Sequence, residues 1–145
     1  EMGMTRGMFV TILGRINQVN AGAVASEFVD VNPGKYYTGY IQWAYESGIV
    51  SGVGDNRFAP DRNITREEMA VMVNNYLKIK NYKLTERDDM VFQDENEISD
   101  WAKSAVHRLA RCGIVTGKGN SRYDAHSGAT RAELVSILNR VNNLK

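Results

Sequence analysis

The sequence predicts an all-α protein built from helix–loop–helix repeats. Three stretches begin with a Thr-Arg pair, at Thr5, Thr65 and Thr130, and in each the apolar residues recur at the spacing of one helical face. The chain also repeats itself at a distance of 65 residues. No alternating apolar pattern extends for more than a few residues, so strands are not predicted.

The internal repeat sets the predicted domain organisation. A shift of 65 residues aligns residues 36–80 with residues 101–145 without a gap, and it places the segment GIVSGVGDNRF on GIVTGKGNSRY. Upstream, one inserted residue brings the two Phe-x-Asp segments into register, whereas the first Thr-Arg pair matches only the later part of a repeat. The prediction is one domain made of the C-terminal helix of a partial repeat at 1–20 and full repeats at 28–80 and 92–145.

Each full repeat is predicted to contain a front helix, a glycine-rich loop and a back helix. The front helices are the stretches YTGYIQWAYESG and SDWAKSAVHRLARCG. They end at Gly48 and Gly113, because glycine readily takes the left-handed conformation that closes a helix. The loops that follow are rich in Gly, Asn and Asp, the residues that form turns.

The threonine of each Thr-Arg pair is predicted to cap the back helix. In two copies a glutamate three residues later completes a capping box, in which hydroxyl and carboxylate accept hydrogen bonds from otherwise unpaired amides. These pairs are Thr65 with Glu68 and Thr130 with Glu133. Thr5 has Met8 at the glutamate position and is predicted to cap its helix alone.

The arginine of each pair needs an explanation, because a cation at a helix start meets the positive end of the helix dipole. Its repetition at Arg6, Arg66 and Arg131 indicates that another interaction offsets this cost, about 0.3–1 kcal/mol for an exposed charge. One interpretation is an internal salt bridge to a carboxylate such as Asp30 or Asp94. The other is an external anion, held by the guanidinium and the free amides of the helix start. The pattern leaves both open.

Charge, apolar runs and cysteine content narrow the classes of partner and site that this protein can have. The formal net charge is +1 and there is no run of like charges, which argues against nucleic acid and anionic membranes as partners. No apolar run approaches the roughly 18–20 residues of a membrane span, so membrane insertion is not predicted. Cys112 is the single cysteine, which excludes an internal disulfide and a cysteine-rich metal site. No cofactor is predicted.

The repeated motifs resemble the S-layer homology (SLH) module. The resemblance rests on the Phe-x-Asp segments, the GIV-containing loops and the Thr-Arg-Ala-Glu hallmark, which stands here as TRAE, TREE and the divergent TRGM. It covers nearly the whole chain. It implies a pseudo-threefold helical assembly of packed repeats, here with the first repeat incomplete, and an extracellular location at a bacterial cell wall or S-layer.

The same resemblance implies a non-catalytic anchor that binds an acidic, pyruvylated secondary cell-wall polysaccharide in grooves between repeats. The motif arginines would face the carboxylate of the ketal: Arg66 and Arg131, with Arg6 in the partial repeat. Gly52 and Gly117 would let a sugar approach the backbone.

Four further residues are candidate glycan contacts, each with a structural alternative. Trp43 and Trp101 can stack on a sugar ring or belong to the core. Asp30 and Asp94 can bind sugar hydroxyls or hold a turn. The sequence leaves both alternatives open for each of these four residues.

An enzyme is not predicted. His107 and His126 have no serine or cysteine at a catalytic spacing, and the acidic residues between Asp88 and Glu97 fall in a linker and a loop. The segment DNRFAPDRN does not match the ligand spacing of an EF-hand. The alternative function is a protein–protein or assembly module, whose grooves or incomplete first repeat are filled by a second chain or an upstream segment.

Overall fold

The computed structural model describes residues 3–22, 25–88 and 90–144, and the regular structure there is helical. Strand-like pairing among these residues is limited to isolated bridges. The all-α prediction is therefore confirmed. The elements are α1 (Arg6–Ile16), α2 (Thr38–Glu46), α3 (Arg66–Ile79), a 3₁₀ turn (Glu95–Glu97), α4 (Asp100–Arg111) and α5 (Arg131–Asn142). The predicted front helices are α2 and α4, and the predicted back helices are α1, α3 and α5.

The chain divides into two compact units whose boundaries differ from those of the sequence repeats. The first unit, Met4–Ile64, contains α1 and α2, and the second contains the described residues from Thr65 onward together with Gly3. In the first unit α1 packs against α2, and in the second α3 packs against α4. Each of these back helices is thus covered by the front helix of the repeat that follows it in the sequence.

The core of the first unit explains the glycines within α1. Phe9, Ile41 and Phe58 are fully buried there. A Cβ atom added to Gly14 would lie 2.3 Å from the ring of Tyr40, so the two helices approach too closely for any other residue. That contact outweighs the low helix propensity of glycine.

The core of the second unit forms where α3 crosses α4. Leu77 of α3 and Val106 and Leu109 of α4 have no exposed surface. Val106 and Leu109 are three residues apart in α4, so they lie on one face of that helix. Ile98, just before α4, and Tyr123, in the loop before α5, extend the same core.

The front helices end as predicted. Gly48 has φ +83° and Gly113 has φ +72°, the left-handed conformation that closes a helix. After α2, the amide of Ile49 donates to the Ala44 carbonyl at 2.8 Å, which satisfies a carbonyl that the helix itself leaves unpaired.

The predicted caps are found, with one difference. In α3 the Thr65 amide donates to Glu68 Oε1 at 2.9 Å, and the Glu68 amide donates to Thr65 Oγ1 at 3.2 Å. Thr5 caps α1 in the same way, and its own amide donates to the sulfur of Met8. The back helix α5 differs, because its N3 residue Glu133 directs its carboxylate elsewhere, as described below.

Candidate functional site

Arg66, the first residue of α3, is buried and its guanidinium is bound within the second unit. Nε donates to the Tyr123 carbonyl at 2.8 Å and Nη2 to the Thr116 carbonyl at 3.0 Å, while Nη1 pairs with the Glu133 carboxylate. The guanidinium carbon also lies 4.9 Å from the centre of the Tyr123 ring, a cation–π contact. Burial is the main cause of a lowered pKa at Arg66.

Tyr123 is fixed from several directions at once. Asp94 accepts the amide of Tyr123 on one carboxylate oxygen and that of Asp124 on the other, both at 2.8 Å. The Tyr123 hydroxyl donates to the Arg66 carbonyl at 3.1 Å. Burial raises the pKa of Tyr123 to about 12, so the hydroxyl stays protonated at neutral pH. Asp94 thus accepts a hydrogen bond from the backbone amide of Tyr123, and Arg66 donates one to its backbone carbonyl.

The first unit contains the same arrangement around Phe58. Asp30 accepts the amides of Phe58 and Ala59, each at 2.8 Å. Arg6 is 2% exposed, and its Nε donates to the Phe58 carbonyl at 2.8 Å. Its guanidinium carbon lies 4.7 Å from the centre of the Phe58 ring. A repeated sequence motif therefore corresponds to a repeated structural unit of aspartate, aromatic residue and arginine.

These contacts give Arg66 an internal role. Its carboxylate partner is Glu133, so the suggestion that Asp94 forms the salt bridge of this arginine is wrong. The two aspartates instead accept backbone amides from the glycine-rich loops, 28 to 30 positions further along the chain. The structure thus shows the aspartates joining two distant segments of the chain, and their contact with sugar hydroxyls stays a prediction.

The amides at the starts of α1 and α3 are also occupied. Arg6 and Gly7 donate to the carbonyls of Arg62 and Pro60, at 2.9 and 2.8 Å. In α3 the amides of Arg66 and Glu67 donate, at 2.9 and 3.0 Å, to the carbonyls of Ser127 and Ala125. An anion at either helix start would have to displace these bonds, so the helix starts themselves are not anion sites.

The remaining candidate residues lie in different surroundings. Arg131, the first residue of α5, is exposed. Trp101, in the first turn of α4, is 61% exposed, and Trp43 of α2 is half-buried. Exposure of Trp101 fits stacking on a ligand better than a core role, and the glycan contacts of all three residues stay predictions.

The loop glycines Gly52 and Gly117 have a packing role. A Cβ atom on Gly52 would lie 2.8 Å from both the Arg57 carbonyl oxygen and the ring of Phe28, and Gly52 has φ +96°. A Cβ atom on Gly117 would lie 2.5 Å from the carbonyl oxygen of Arg122. Neither position accepts a side chain even without a ligand. A role in sugar approach stays a prediction for both.

A cleft of about 110 Å³ opens beside Arg66 within the second unit. Its lining comes from the start of α3, the GIV-containing loop and α5, and it includes two arginines and one glutamate. These nine residues are Arg66, Met69, Val115, Thr116, Tyr123, Glu133, Ser136, Ile137 and Arg140. The lining residues therefore carry a formal net charge of +1, and several of them also offer apolar surface.

The charges around the cleft favour a single anionic group. Glu133 is shared between Arg66 and Lys118, whose Nζ lies 3.3 Å from Glu133 Oε1. Arg140 donates through Nη1 to the Ile114 carbonyl at 2.9 Å, which uses one of its five N–H donors. One carboxylate thus pairs with two cations, and a third cation, Arg140, lines the same cleft.

Sequence reasoning identified Arg66 but missed the other polar residues of the cleft. Glu133 was assigned to a capping box, which is a local role, whereas its carboxylate binds an arginine 67 positions away in the chain. Arg140 aligns with Asn75 in the preceding repeat, so no repetition marked it. The sequence did mark Tyr123, because the aligned position in the preceding repeat is also aromatic, namely Phe58.

The burial of Asp94 leads to a testable pH dependence. Burial opposes ionisation, but the amides of Tyr123 and Asp124 and the charge of Arg122 outweigh it and lower the pKa of Asp94. A carboxyl with a lowered pKa stabilises the folded state above its usual value of 3.8 and loses that effect as the pH falls through the folded value. We expect the free energy of unfolding to decline below about pH 4, and to decline less steeply in Asp94→Asn.

Urea unfolding followed by circular dichroism between pH 2 and pH 6 measures this slope. The matched control is Asp55→Asn, because Asp55 is an exposed aspartate in the glycine-rich loop between α2 and α3. An acid slope that is the same in Asp94→Asn and in the unmodified chain would contradict the assignment.

Neither a membrane-spanning helix nor a metal-binding cluster occurs within the described ranges. None of the helices there combines the length and apolar character required to cross a bilayer. Over the same residues, no group of three or more His, Cys, Asp or Glu side chains is arranged to hold a metal ion.

Comparison with known proteins identifies the repeats. The family model described as the S-layer homology domain matches residues 27–70 and 91–135, which is more than half of the chain. An amylopullulanase of Thermoanaerobacterium thermosulfurigenes is 36% identical over 93% of this chain and 7% of its own length. The S-layer protein EA1 of Bacillus anthracis is 27% identical over 98% of this chain and 15% of its own length.

A third relative is the cellulosome-anchoring protein of Acetivibrio thermocellus, which is 27% identical over 92% of this chain and 30% of its own length. The chain thus spans less than a third of each of these proteins, and the shared part is the same in enzymes and surface proteins. Two matched repeats and the helical fold that they predict lead to one conclusion: this chain belongs to the S-layer homology domain family.

Proposed function

We propose that this chain is a non-catalytic module of the bacterial cell surface, and that it anchors a larger protein by binding an acidic, pyruvylated secondary cell-wall polysaccharide. The observation that carries the proposal is the cleft beside Arg66, with two arginines in its lining. Relatives named as cell-surface and cellulosome-anchoring proteins share the module, whatever else their chains contain.

The geometry suits a carboxylate on a sugar. Three of the five guanidinium donors of Arg66 are directed to Tyr123, Thr116 and Glu133, so two N–H groups remain for a ligand in the cleft that Arg66 lines. Arg140 lines the same cleft from α5. A ketal carboxylate between them would gain charge-assisted hydrogen bonds, while Ile137 and Met69 offer apolar surface to the sugar ring.

Calorimetric titration of the chain with pyruvylated polysaccharide tests the proposal, beside the same polymer stripped of its ketals. We expect binding that requires the ketal and that weakens about tenfold in Arg140→Gln, the loss of one charge-assisted contact. Arg140 is suited to the test because it is half-buried at the cleft rim and its removal leaves the Arg66 contacts in place.

Arg15→Gln is the matched control, since Arg15 is an exposed arginine near the end of another back helix and is not among the residues that line the cleft. Equal affinity for the stripped polymer would reject the role of the ketal. Equal affinities of Arg140→Gln and Arg15→Gln would reject the cleft as the site.

A further inference from the structure

The glutamate of the repeated motif has different partners in two back helices of this chain. In α3 it is Glu68, whose carboxylate accepts the Thr65 amide at 2.9 Å and so closes a capping box. In α5 it is Glu133, which donates its amide to Thr130 Oγ1 at 3.1 Å but directs its carboxylate to the Arg66 guanidinium. The same motif position thus occurs in two states, one that caps its own helix and one that neutralises an arginine.

The Glu133 carboxylate pairs with two cations at the cleft. Its Oε2 pairs with Arg66 Nη1, and its Oε1 lies 3.3 Å from Lys118 Nζ. Lys118 lies in the glycine-rich loop of the second full repeat and aligns with Val53, so this cation is present in one of the two loops. The cleft therefore already holds an internal carboxylate between two cations, which is the arrangement that an acidic ligand needs.

A ligand carboxylate on Arg66 would meet the negative charge of Glu133. The N–H groups of Arg66 that remain for a ligand belong to the guanidinium that Glu133 already contacts, so the two carboxylates would lie close together. Arg66 is buried and the side chain of Glu133 is 19% exposed. Like charges repel more strongly in such a partly buried site than in water, because the dielectric constant is lower. An acidic ligand would therefore bind best after Glu133 has left the guanidinium.

Glu133 has an alternative partner within reach. Its Oε1 lies 3.3 Å from the hydroxyl oxygen of Thr130, the residue whose amide a capping box would use. The backbone at this helix start already suits a capping box, since Thr130 has φ −105° and ψ 162° and Thr65 has φ −83° and ψ 162°. A rotation of the Glu133 side chain alone would reproduce the capping box that Glu68 forms in α3.

We propose that Glu133 is a resident carboxylate that an acidic ligand replaces with its own. This inference rests on the proposed function, because it concerns how the same cleft takes up its ligand. The ligand carboxylate replaces Glu133 on Arg66 and Lys118, and Glu133 turns back to accept the Thr130 amide. Each cation keeps one anionic partner, and α5 gains the second half of its capping box. A neutral sugar offers the two cations no carboxylate and leaves Glu133 in place.

NMR of the unmodified chain tests this exchange with a small probe, the dimethyl ketal of pyruvate, and with its methyl ester as the matched neutral control. With the acid we expect the Thr130 amide to exchange with solvent about tenfold more slowly, because it gains the Glu133 carboxylate as an acceptor. The ester should cause no change. The Thr65 amide, which is already part of a capping box, should respond to neither. A Thr130 amide that does not respond to the acid would overturn the exchange.

Calorimetric titration with pyruvylated polysaccharide gives a second readout, whose sign depends on the role of Glu133. Glu133→Gln removes the competing charge, so we expect this variant to bind about tenfold more tightly. A glutamate that only positions Arg66 for the ligand would give weaker binding in the same variant. Glu68→Gln is the matched control, because it changes the same motif position in α3 and should leave the affinity unchanged. Lys118→Gln should weaken binding, because the ligand loses one of its two cations.

The two measurements separate this inference from the proposed function. If the polysaccharide does not bind but the Thr130 amide still responds to the acid, the proposed function is rejected and the exchange is supported. If binding of the polysaccharide requires the ketal but a folded Glu133→Gln variant binds no more tightly, the proposed function is supported and the exchange is rejected.

Discussion

Replacing Arg66 with alanine is expected to lower the free energy of unfolding by about 3 kcal/mol, whereas the same change at Arg131 is expected to alter it by less than about 0.5 kcal/mol. Both arginines are the first residue of a back helix in the same motif. Arg66 is 5% exposed and binds Glu133 and the carbonyls of Tyr123 and Thr116. Its removal leaves two carbonyls without their donor and takes from Glu133 one of its two cationic partners.

Urea unfolding of the two variants, each compared with the unmodified chain, measures this difference. Arg66→Lys separates charge from geometry, because a lysine retains the charge but cannot form three divergent contacts at once. We expect Arg66→Lys to lose most of the stability that Arg66→Ala loses. If Arg66→Ala and Arg131→Ala destabilised the protein equally, the internal contacts of Arg66 would not be the reason that this arginine is present.

This contrast also affects how glycan binding can be tested. A variant of Arg66 removes a ligand contact and a structural contact together, so its loss of binding would have two explanations. Arg140 lines the same cleft with one hydrogen bond to the chain, against three contacts for Arg66, so its substitution disturbs the fold less. The motif arginine that is best marked in the sequence is thus the less informative one to mutate.

The helices and their ends could be predicted because their signals are local. Apolar spacing within a dozen residues predicted each back helix, and Gly48 and Gly113 predicted the ends of the front helices. The capping box at Thr65 and Glu68 depends on residues three positions apart. Each of these features is decided within one or two turns of helix, where the sequence pattern is sufficient.

The partners of the motif arginines could not be predicted, because they are set by packing between distant segments. Arg66 binds Glu133, which the sequence pattern assigned to the capping box at the start of α5. It also binds the carbonyl of Thr116, a residue that no sequence motif marked. The repeat alignment predicted that the repeats pack on one another, but it did not indicate which helices would pair. The structure instead pairs a back helix with the following front helix, and no one-dimensional period distinguishes these two arrangements.

Replacing Glu67 with alanine is the second large change that we expect, with a loss of about 2–3 kcal/mol in the free energy of unfolding. Glu67 is 3% exposed, and its carboxylate accepts the amide of Ser99 at 2.8 Å and the hydroxyl of Ser99 at 2.7 Å. It thereby caps α4 from a neighbouring helix, since the Ser99 side chain makes no capping bond of its own. A negative charge at this position also interacts favourably with the α4 dipole.

Thermal and urea unfolding of Glu67→Ala, Glu67→Gln and His126→Ala divide this effect into its parts. Glutamine retains the shape and one acceptor oxygen, so we expect Glu67→Gln to lose about half as much as Glu67→Ala. His126 lies 3.3 Å from the Glu67 carboxylate but is 63% exposed, and its removal should change stability by less than about 0.5 kcal/mol. If His126→Ala matched Glu67→Ala, the carboxylate would act through the histidine. The order of stabilities that we expect instead assigns the effect of Glu67 to its contact with Ser99. This contact joins α3 to α4, the two helices whose packing forms the core of the second unit.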